Sequence, residues 1–369
     1  MTPPTQTLEQ RPGADGPRGS GPLNTQDQAL HTRTLPRFAP LGLLAAATAV
    51  SVGISLALGW NRAAMVVVAA ILYLVAINLV SRSVENGRRA TDRTVTGLVT
   101  IAFLIALLPL TTLLYTVLSN GLGALSGEFF SASMRNIIGE GGGIYHAIWG
   151  TLIVTGLATL MSVPIGVFTA IYLVEYGKGA LARWITFLVD VMTGIPSIVA
   201  GLFAYALFVL FLGPGVRSGF GGAVALSVLM VPVVVRATEE MLKLVPNELR
   251  EASYALGVPR WRTIVKVVLR TASAGIATGV TLAVARVIGE TAPLLVIAGS
   301  TDSVNFNPFD GRMATLPVFT FYAYSEPGVP AEFSVERAWG AALVLILIVL
   351  VLNLIARLIS RAYSPKTGR

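Results

Sequence analysis

Residues 41–81 read LGLLAAATAVSVGISLALGW, then NR, then AAMVVVAAILYLVAINLVS: two apolar runs, Leu41–Trp60 and Ala63–Ser81, parted only by Asn61-Arg62. Each run matches the roughly 20 helical residues that cross a hydrocarbon layer about 30 Å thick. Two such runs with two polar residues between them make a transmembrane hairpin. Outward from this hairpin the same pattern recurs at Val95–Leu118, Ile148–Val174, Trp184–Leu212, Gly221–Val235, Ser273–Ala298 and Ala338–Ala356. The fifth of the eight runs is interrupted by Thr193-Gly194-Ile195-Pro196-Ser197, and the seventh contains Arg286 and Glu290. The composition agrees: of 369 residues 54% are apolar and 12% charged, where soluble domains carry roughly a quarter charged residues. Mean hydropathy is +0.72. The expected fold class is an all-α polytopic membrane protein.

The same numbers exclude several functions. The absence of cysteine removes disulfides, thiolate catalysis and thiolate-held metals. His31 and His146 are too far apart in sequence to suggest a histidine metal site. No Gly-x-x-x-x-Gly-Lys-[Ser/Thr] occurs, so no P-loop cradles ATP. Gly139–Gly143 is glycine-rich but has no lysine and follows no strand, and reads as a flexible external loop. No nucleophile–base set is present. The expectation is a non-enzyme without metal or cofactor.

The net charge of +8 is a matter of topology. With the N-terminus inside, 21 of the 27 Lys and Arg fall on cytoplasmic segments, five fall outside, and Arg286 remains in the membrane. That bias places both termini in the cytoplasm. The basic residues form no aromatic-interleaved patch, so nucleic acid is not an expected partner. The first 40 residues hold seven Pro and four Gly and read as a disordered cytoplasmic tail. The first apolar run starts late and exceeds a signal-peptide core, so no signal peptide is expected. Outside, five basic residues face seven acidic ones; such a surface does not draw an anion from bulk water, which favours delivery by a binding protein over an open anion channel.

The loop between the sixth and seventh runs, Glu239–Leu269, reads EEMLKLVPNELREASYALGVPRWRTIVKVVL. It predicts a polar helix with Asn247 as a possible N-cap, a stop at Gly257-Val258-Pro259, and an amphipathic helix returning to the membrane. A helix–glycine–helix unit of this kind suits docking to a soluble partner, or lies on the membrane surface. Its residues Glu251-Ala252-Ser253, Gly257 and Val267-x-Leu269 resemble the EAA loop of ABC-importer permeases, with departures at Ser253 and Arg270. In that family the loop is the coupling helix that enters a groove of the ATPase subunit.

A narrower resemblance rests on Ile171–Gly177, Pro196–Phe203, Glu239–Pro246 and Ala285–Leu295. These runs look like the phosphate-specific ABC permeases, and within them the A-type subunits that pair with a C-type homologue. The resemblance implies a type-I ABC importer transmembrane domain with six core spans (95–360, core about 146–358, coupling loop 237–270), to which the 41–81 hairpin is extra. It implies a bacterial plasma-membrane location and four partners: a second permease subunit, a cytoplasmic ATPase dimer, an extracytoplasmic phosphate-binding protein and membrane lipid. A permease for molybdate or sulfate is the alternative. A secondary transporter would need an internal inverted repeat, which the sequence does not display, and would leave the 239–270 loop without a role.

For the anion path the informative residues lie in the seventh run. Arg286 and Glu290 are four apart, on one face of a continuous helix and within pairing reach. Gly275, Gly279 and Ala283 share that face and allow close helix approach. An ionisable residue near mid-membrane costs about 2.5–3.5 kcal/mol, so it faces a partner or a cavity; a guanidinium fork suits an oxyanion. The pair is read either as pathway residues or as a clamp between helices. With Thr291 and Ser197, they form the expected pathway set; Pro196-Ser197 either exposes backbone donors to a cavity or simply kinks the helix. Asp190 is expected to be structural, as a cap of the broken helix, and His146 interfacial.

Overall fold

The computed structural model describes residues 35–363. Residues 1–34, most of the expected tail, lie outside them. Among the described residues every regular element is helical. Seven helices are long and apolar enough to cross a membrane, and a bent pair makes an eighth candidate. The chain divides into two units, at Leu110 and Thr111, inside one long helix.

The first unit is built on α1 (Ala39–Leu58) and α2 (Arg62–Val84). The turn between them is specified locally: Gly59 is left-handed at φ 65°, and the Asn61 side chain caps α2 by accepting from the Ala64 amide at 2.8 Å. Ser51 Oγ donates to the Met65 carbonyl across the pair, so the hydroxyl is satisfied within the apolar layer. The third helix, α3 (Gly87–Gly121), begins in this unit and is much longer than the expected Val95–Leu118. Its 35 residues span about 52 Å, more than a hydrocarbon layer needs.

The second unit holds the remaining helices. After the short α4 (Gly127–Ser131), α5 (Tyr145–Ile171) passes into a π-turn at Tyr172–Tyr176. The expected fifth span is two helices, α6 (Ala180–Thr193) and α7 (Ser197–Leu212), bent by 109° at the Gly194–Pro196 break. Helix α8 (Gly219–Lys243) lies against α5. The connecting region forms α9 (Asn247–Ala255), the single turn α10 (Arg260–Thr263) and a π-turn at Ile264–Val268. The expected seventh span also divides, into α11 (Leu269–Val287) and α12 (Ala292–Ile297). Two helices follow: α13 (Leu316–Ser325), which the sequence reading did not anticipate, and α14 (Ala331–Tyr363).

The core of this unit sits among α5, α8, α11 and α12, around Val154, Leu226, Met230, Val287 and Leu294. Small residues bring the backbones together. A Cβ on Gly279 would stand 2.7 Å from that of Ala237, and one on Gly201 would stand 2.5 Å from Pro293 Cα. The first contact brings α11 onto α8 along the expected small-residue face; the second seats α12 on α7. The start of α13 is pinned by Thr151, whose hydroxyl accepts from the Leu316 amide at 2.8 Å. Two loop expectations change. The Gly139–Gly143 loop is fastened by Arg337, which donates to the carbonyls of Gly139 at 2.7 Å and Gly141 at 2.9 Å. His146 is buried edge-on to Phe319 rather than interfacial.

Candidate functional site

The broken helix pair creates the site. Thr193-Gly194-Ile195-Pro196 cannot continue α6, because proline disfavours helical geometry in the residue before it. The chain restarts at Ser197, with Pro196 as the capping residue and no side-chain cap. The first amides of α7 therefore lack intrahelical acceptors and carry the positive end of its dipole. The first residue of α7, Ser197, lines a cavity of about 190 Å³ together with Thr193 and Ile195 before it, Pro232 and Val233 of α8, and Arg286, Val287 and Glu290. Pro232, within α8, has no amide to donate. A water takes about 30 Å³ of liquid volume, so the space admits a small hydrated oxyanion.

Three of the four expected pathway residues, Ser197, Arg286 and Glu290, line this one cavity. Thr291 does not. It begins α12, and its carbonyl accepts from the Leu295 amide at 3.0 Å. Arg286 stands in the last turn of α11, exposed in the isolated chain and without an ion pair among the described residues. The expected Arg286–Glu290 pair on a single helix face is absent. The helix stops at Val287, and the Glu290 amide donates to the Val287 carbonyl at 3.1 Å, so the regular four-residue helical spacing is broken between the two residues. Gly289 with Pro293 just beyond it is a stop signal that the sequence carried.

Asp190 also has a different partner from the one expected. It accepts from Arg236 of α8 instead of capping a helix, and Arg236 continues through Glu239 at 2.8 Å to Lys243 at 2.6 Å. This chain of charges ties α6 to the end of α8 beside the connecting loop.

That loop is a fixed body. Asn247 is the first residue of α9, not its cap; its side chain accepts from Arg250 at 3.3 Å. Gly257 adopts φ 73° where α9 ends, a conformation that favours glycine. Ser253, the departure from the EAA pattern, is buried and shares a 2.8 Å hydrogen bond with Thr263, joining α9 to α10. Val267 and Leu269 are half-buried and support the frame, whereas Glu251, Ala252 and Gly257 are exposed. Beside them Leu256 is 83% and Trp261 58% exposed, an apolar surface at the loop tip. The loop is held to the end of α5 by Glu175, a residue to which the sequence reading assigned no role. Its buried carboxylate accepts from Arg250 at 2.9 Å, and its carbonyl accepts from Arg260, whose guanidinium lies over the Tyr176 ring at 4.9 Å.

Comparison with known proteins agrees with this architecture. The phosphate transport system permease protein PstA 1 of Mycobacterium tuberculosis (strain CDC 1551 / Oshkosh) is 47% identical over 284 residues, 76% of this chain and 92% of the relative. The corresponding protein of Mycobacterium leprae (strain TN) is 48% identical over 279 residues, 75% of this chain and 90% of its own. Among solved structures, a bacterial alginate ABC transporter chain superposes with a TM-score of 0.54 at 14% identity, covering 76% of this chain and 97% of that one; the likeness is one of fold. The family model for binding-protein-dependent transport system inner membrane components matches residues 162–369, which include the cavity and the loop, and the chain belongs to that family.

Proposed function

We propose that this chain is a translocating subunit of an ATP-driven importer of inorganic phosphate. The observation that carries the reading is the convergence of the uncapped start of α7 at Ser197 and of Arg286, which has no ion pair among the described residues, on one small cavity in a membrane protein. Free amides and a guanidinium fork both suit a tetrahedral oxyanion, and they are available without displacing a resident carboxylate partner of Arg286. The names of the mycobacterial relatives give the same anion. The subunit is a permease and not an enzyme. ATP is hydrolysed on a separate cytoplasmic ATPase dimer, which docks on the exposed tip of the 244–268 loop. A second, homologous permease subunit completes the path, and an extracytoplasmic binding protein delivers the anion.

The test is uptake of labelled phosphate into proteoliposomes holding the full complex. Uptake is expected to require ATP and the binding protein and to persist under a hundredfold excess of sulfate or molybdate. Competition by either of those anions would transfer the assignment to another oxyanion.

The proposed orientation places the α2–α3 turn and both termini in the cytoplasm of the bacterial plasma membrane. Because the sequence has no cysteine, a single cysteine at Asn86 or at Ser303 is a clean reporter. A membrane-impermeant maleimide is expected to label Ser303→Cys in intact cells and Asn86→Cys only after permeabilisation. The reverse pattern would invert the topology.

A further inference from the structure

In the first unit, Glu85 closes the α2–α3 turn. Its side chain is inaccessible to solvent and accepts from Arg93 through Nε and Nη2, both at 2.8 Å, from Ser81 at 2.7 Å and from the Leu35 amide at 2.9 Å. The Arg93 fork, helped by Ser81 and Leu35 against the effect of burial, holds the carboxyl down at about 2. Glu85 is thus a permanent anion already matched by Arg93. Arg82, Arg88 and Arg89 around the same turn have no ion-pair partner among the described residues, with Asp92 as the nearby acid. The turn keeps a surplus of positive charge.

Below the turn α2 and α3 stand apart. They meet through Asn78, which donates to Thr94 at 2.9 Å, and at Gly97, where a Cβ would lie 3.2 Å from the Tyr73 ring. A cavity of about 580 Å³ fills the rest, with Glu85, Arg89, Asp92 and Arg93 at its upper end and Tyr73, Ile77, Ile101 and Leu104 along its shaft. From Arg93 to Leu104 the shaft descends about 17 Å at 1.5 Å per residue. One leaflet of hydrocarbon is about 15 Å deep, half of a roughly 30 Å core. Leu44 and Leu104, which line it, are exposed.

We propose that this groove between the N-terminal hairpin and α3 binds an anionic glycerophospholipid, its headgroup phosphate on Arg89 and on the Nη1 of Arg93, which has no bond among the described residues, and one acyl chain along the Tyr73–Leu104 shaft. The cavity mouth itself balances Arg89 and Arg93 against Glu85 and Asp92, but Arg82 and Arg88 on the same turn leave it net positive, which favours a negative headgroup at this membrane surface. The leaflet-deep apolar shaft selects a lipid over free phosphate, which would use none of it. The extra hairpin thereby acquires a role, as one wall of a lipid site. The proposal rests on the membrane-spanning reading of the hairpin and not on the transported anion.

The test is photo-crosslinking of the whole complex in vesicles of phosphatidylcholine with 20 mol% photoactivatable phosphatidylglycerol, read by peptide mapping of segment 70–105. Wild type is expected to crosslink there, and photoactivatable phosphatidylcholine to do so about fivefold less, the factor for about 1 kcal/mol per interfacial arginine. Arg89→Gln is expected to lower the phosphatidylglycerol crosslink by about the same factor while leaving phosphatidylcholine unchanged. Ile101→Trp, which fills the shaft, is expected to lower both. Equal crosslinking of the two lipids to wild type, or an unchanged yield in both variants, overturns the site. Deletion of residues 1–34 is expected to leave the yield unchanged; a rise would assign the groove to the chain's own N-terminal segment and overturn it too.

Discussion

Uptake of labelled phosphate by an Arg286→Gln complex is expected to fall by about ten- to a hundredfold per assembled complex. The estimate is the loss of charge-assisted hydrogen bonds worth about 1.5–3 kcal/mol. Arg286→Lys keeps the charge but loses the planar fork, and is expected to fall between wild type and Arg286→Gln. Glu290→Gln is the informative companion. If Arg286 and Glu290 formed a clamp, removing either charge would strand the other, and the double neutral variant would regain both assembly and uptake. In the structure they share a cavity wall but form no ion pair. Assembly is therefore expected to survive each single change, and the double variant to be as slow as Arg286→Gln alone. Near-normal uptake by the double variant would remove Arg286 from the path.

How much of this was legible depends on the range of the interactions involved. Apolar runs are local, and they marked the membrane-spanning helices. The α6–α7 break was legible for the same reason, because Gly194 and Pro196 act on their own backbone. The connecting loop was legible in outline through Gly257, whose left-handed conformation ends α9 wherever the loop lies. The end of α11 was misread. Gly289 and Pro293 signalled a stop, but the apolar character of Val287-Ile288 and of Leu294–Ile297 made one span the simpler reading. Helix α13 was missed because its ten residues are too short to cross a membrane, and its apolar start is buried by contacts with α5 that no local pattern encodes.

The charged contacts were the least legible. Glu175 and Arg250 lie 75 positions apart, and Asp190 and Arg236 lie 46 apart. Periodicity speaks only for residues three or four apart on one helix. Every arginine of the 236–270 segment counted equally toward orientation, yet the fold divides them. Arg236, Arg250 and Arg260 are tied to carboxylates or carbonyls of other helices, while Arg270 is exposed and has no ion pair among the described residues. Positive-inside counting reads the membrane side of a residue and is blind to its partner.

The Glu175–Arg250 pair is where the connecting loop joins the membrane bundle, and the second large effect is expected there. Both side chains are nearly withdrawn from solvent, at 4% and 13% exposed. Removing one partner of such a pair costs about 3–5 kcal/mol, because the other charge remains buried. Arg250 also donates to the carbonyls of Leu242, at 2.9 Å, and Val245, so it fastens α9 to the end of α8 as well as to α5. A charge swap would fail on this ground: a carboxylate at 250 would face two carbonyl oxygens. Glu175→Gln keeps the shape and one acceptor but strands the guanidinium. If the loop transmits ATPase motion to the helices as a rigid body, loosening this joint separates hydrolysis from transport. The expected result is a complex that assembles and hydrolyses ATP but moves about tenfold less phosphate per ATP, with Arg250→Met behaving alike. In a double-mutant cycle the two changes are expected to be far from additive, since each removes the same contact. An unchanged ratio of phosphate to ATP in Glu175→Gln would mean that the loop is coupled through the Asp190–Arg236–Glu239 chain instead.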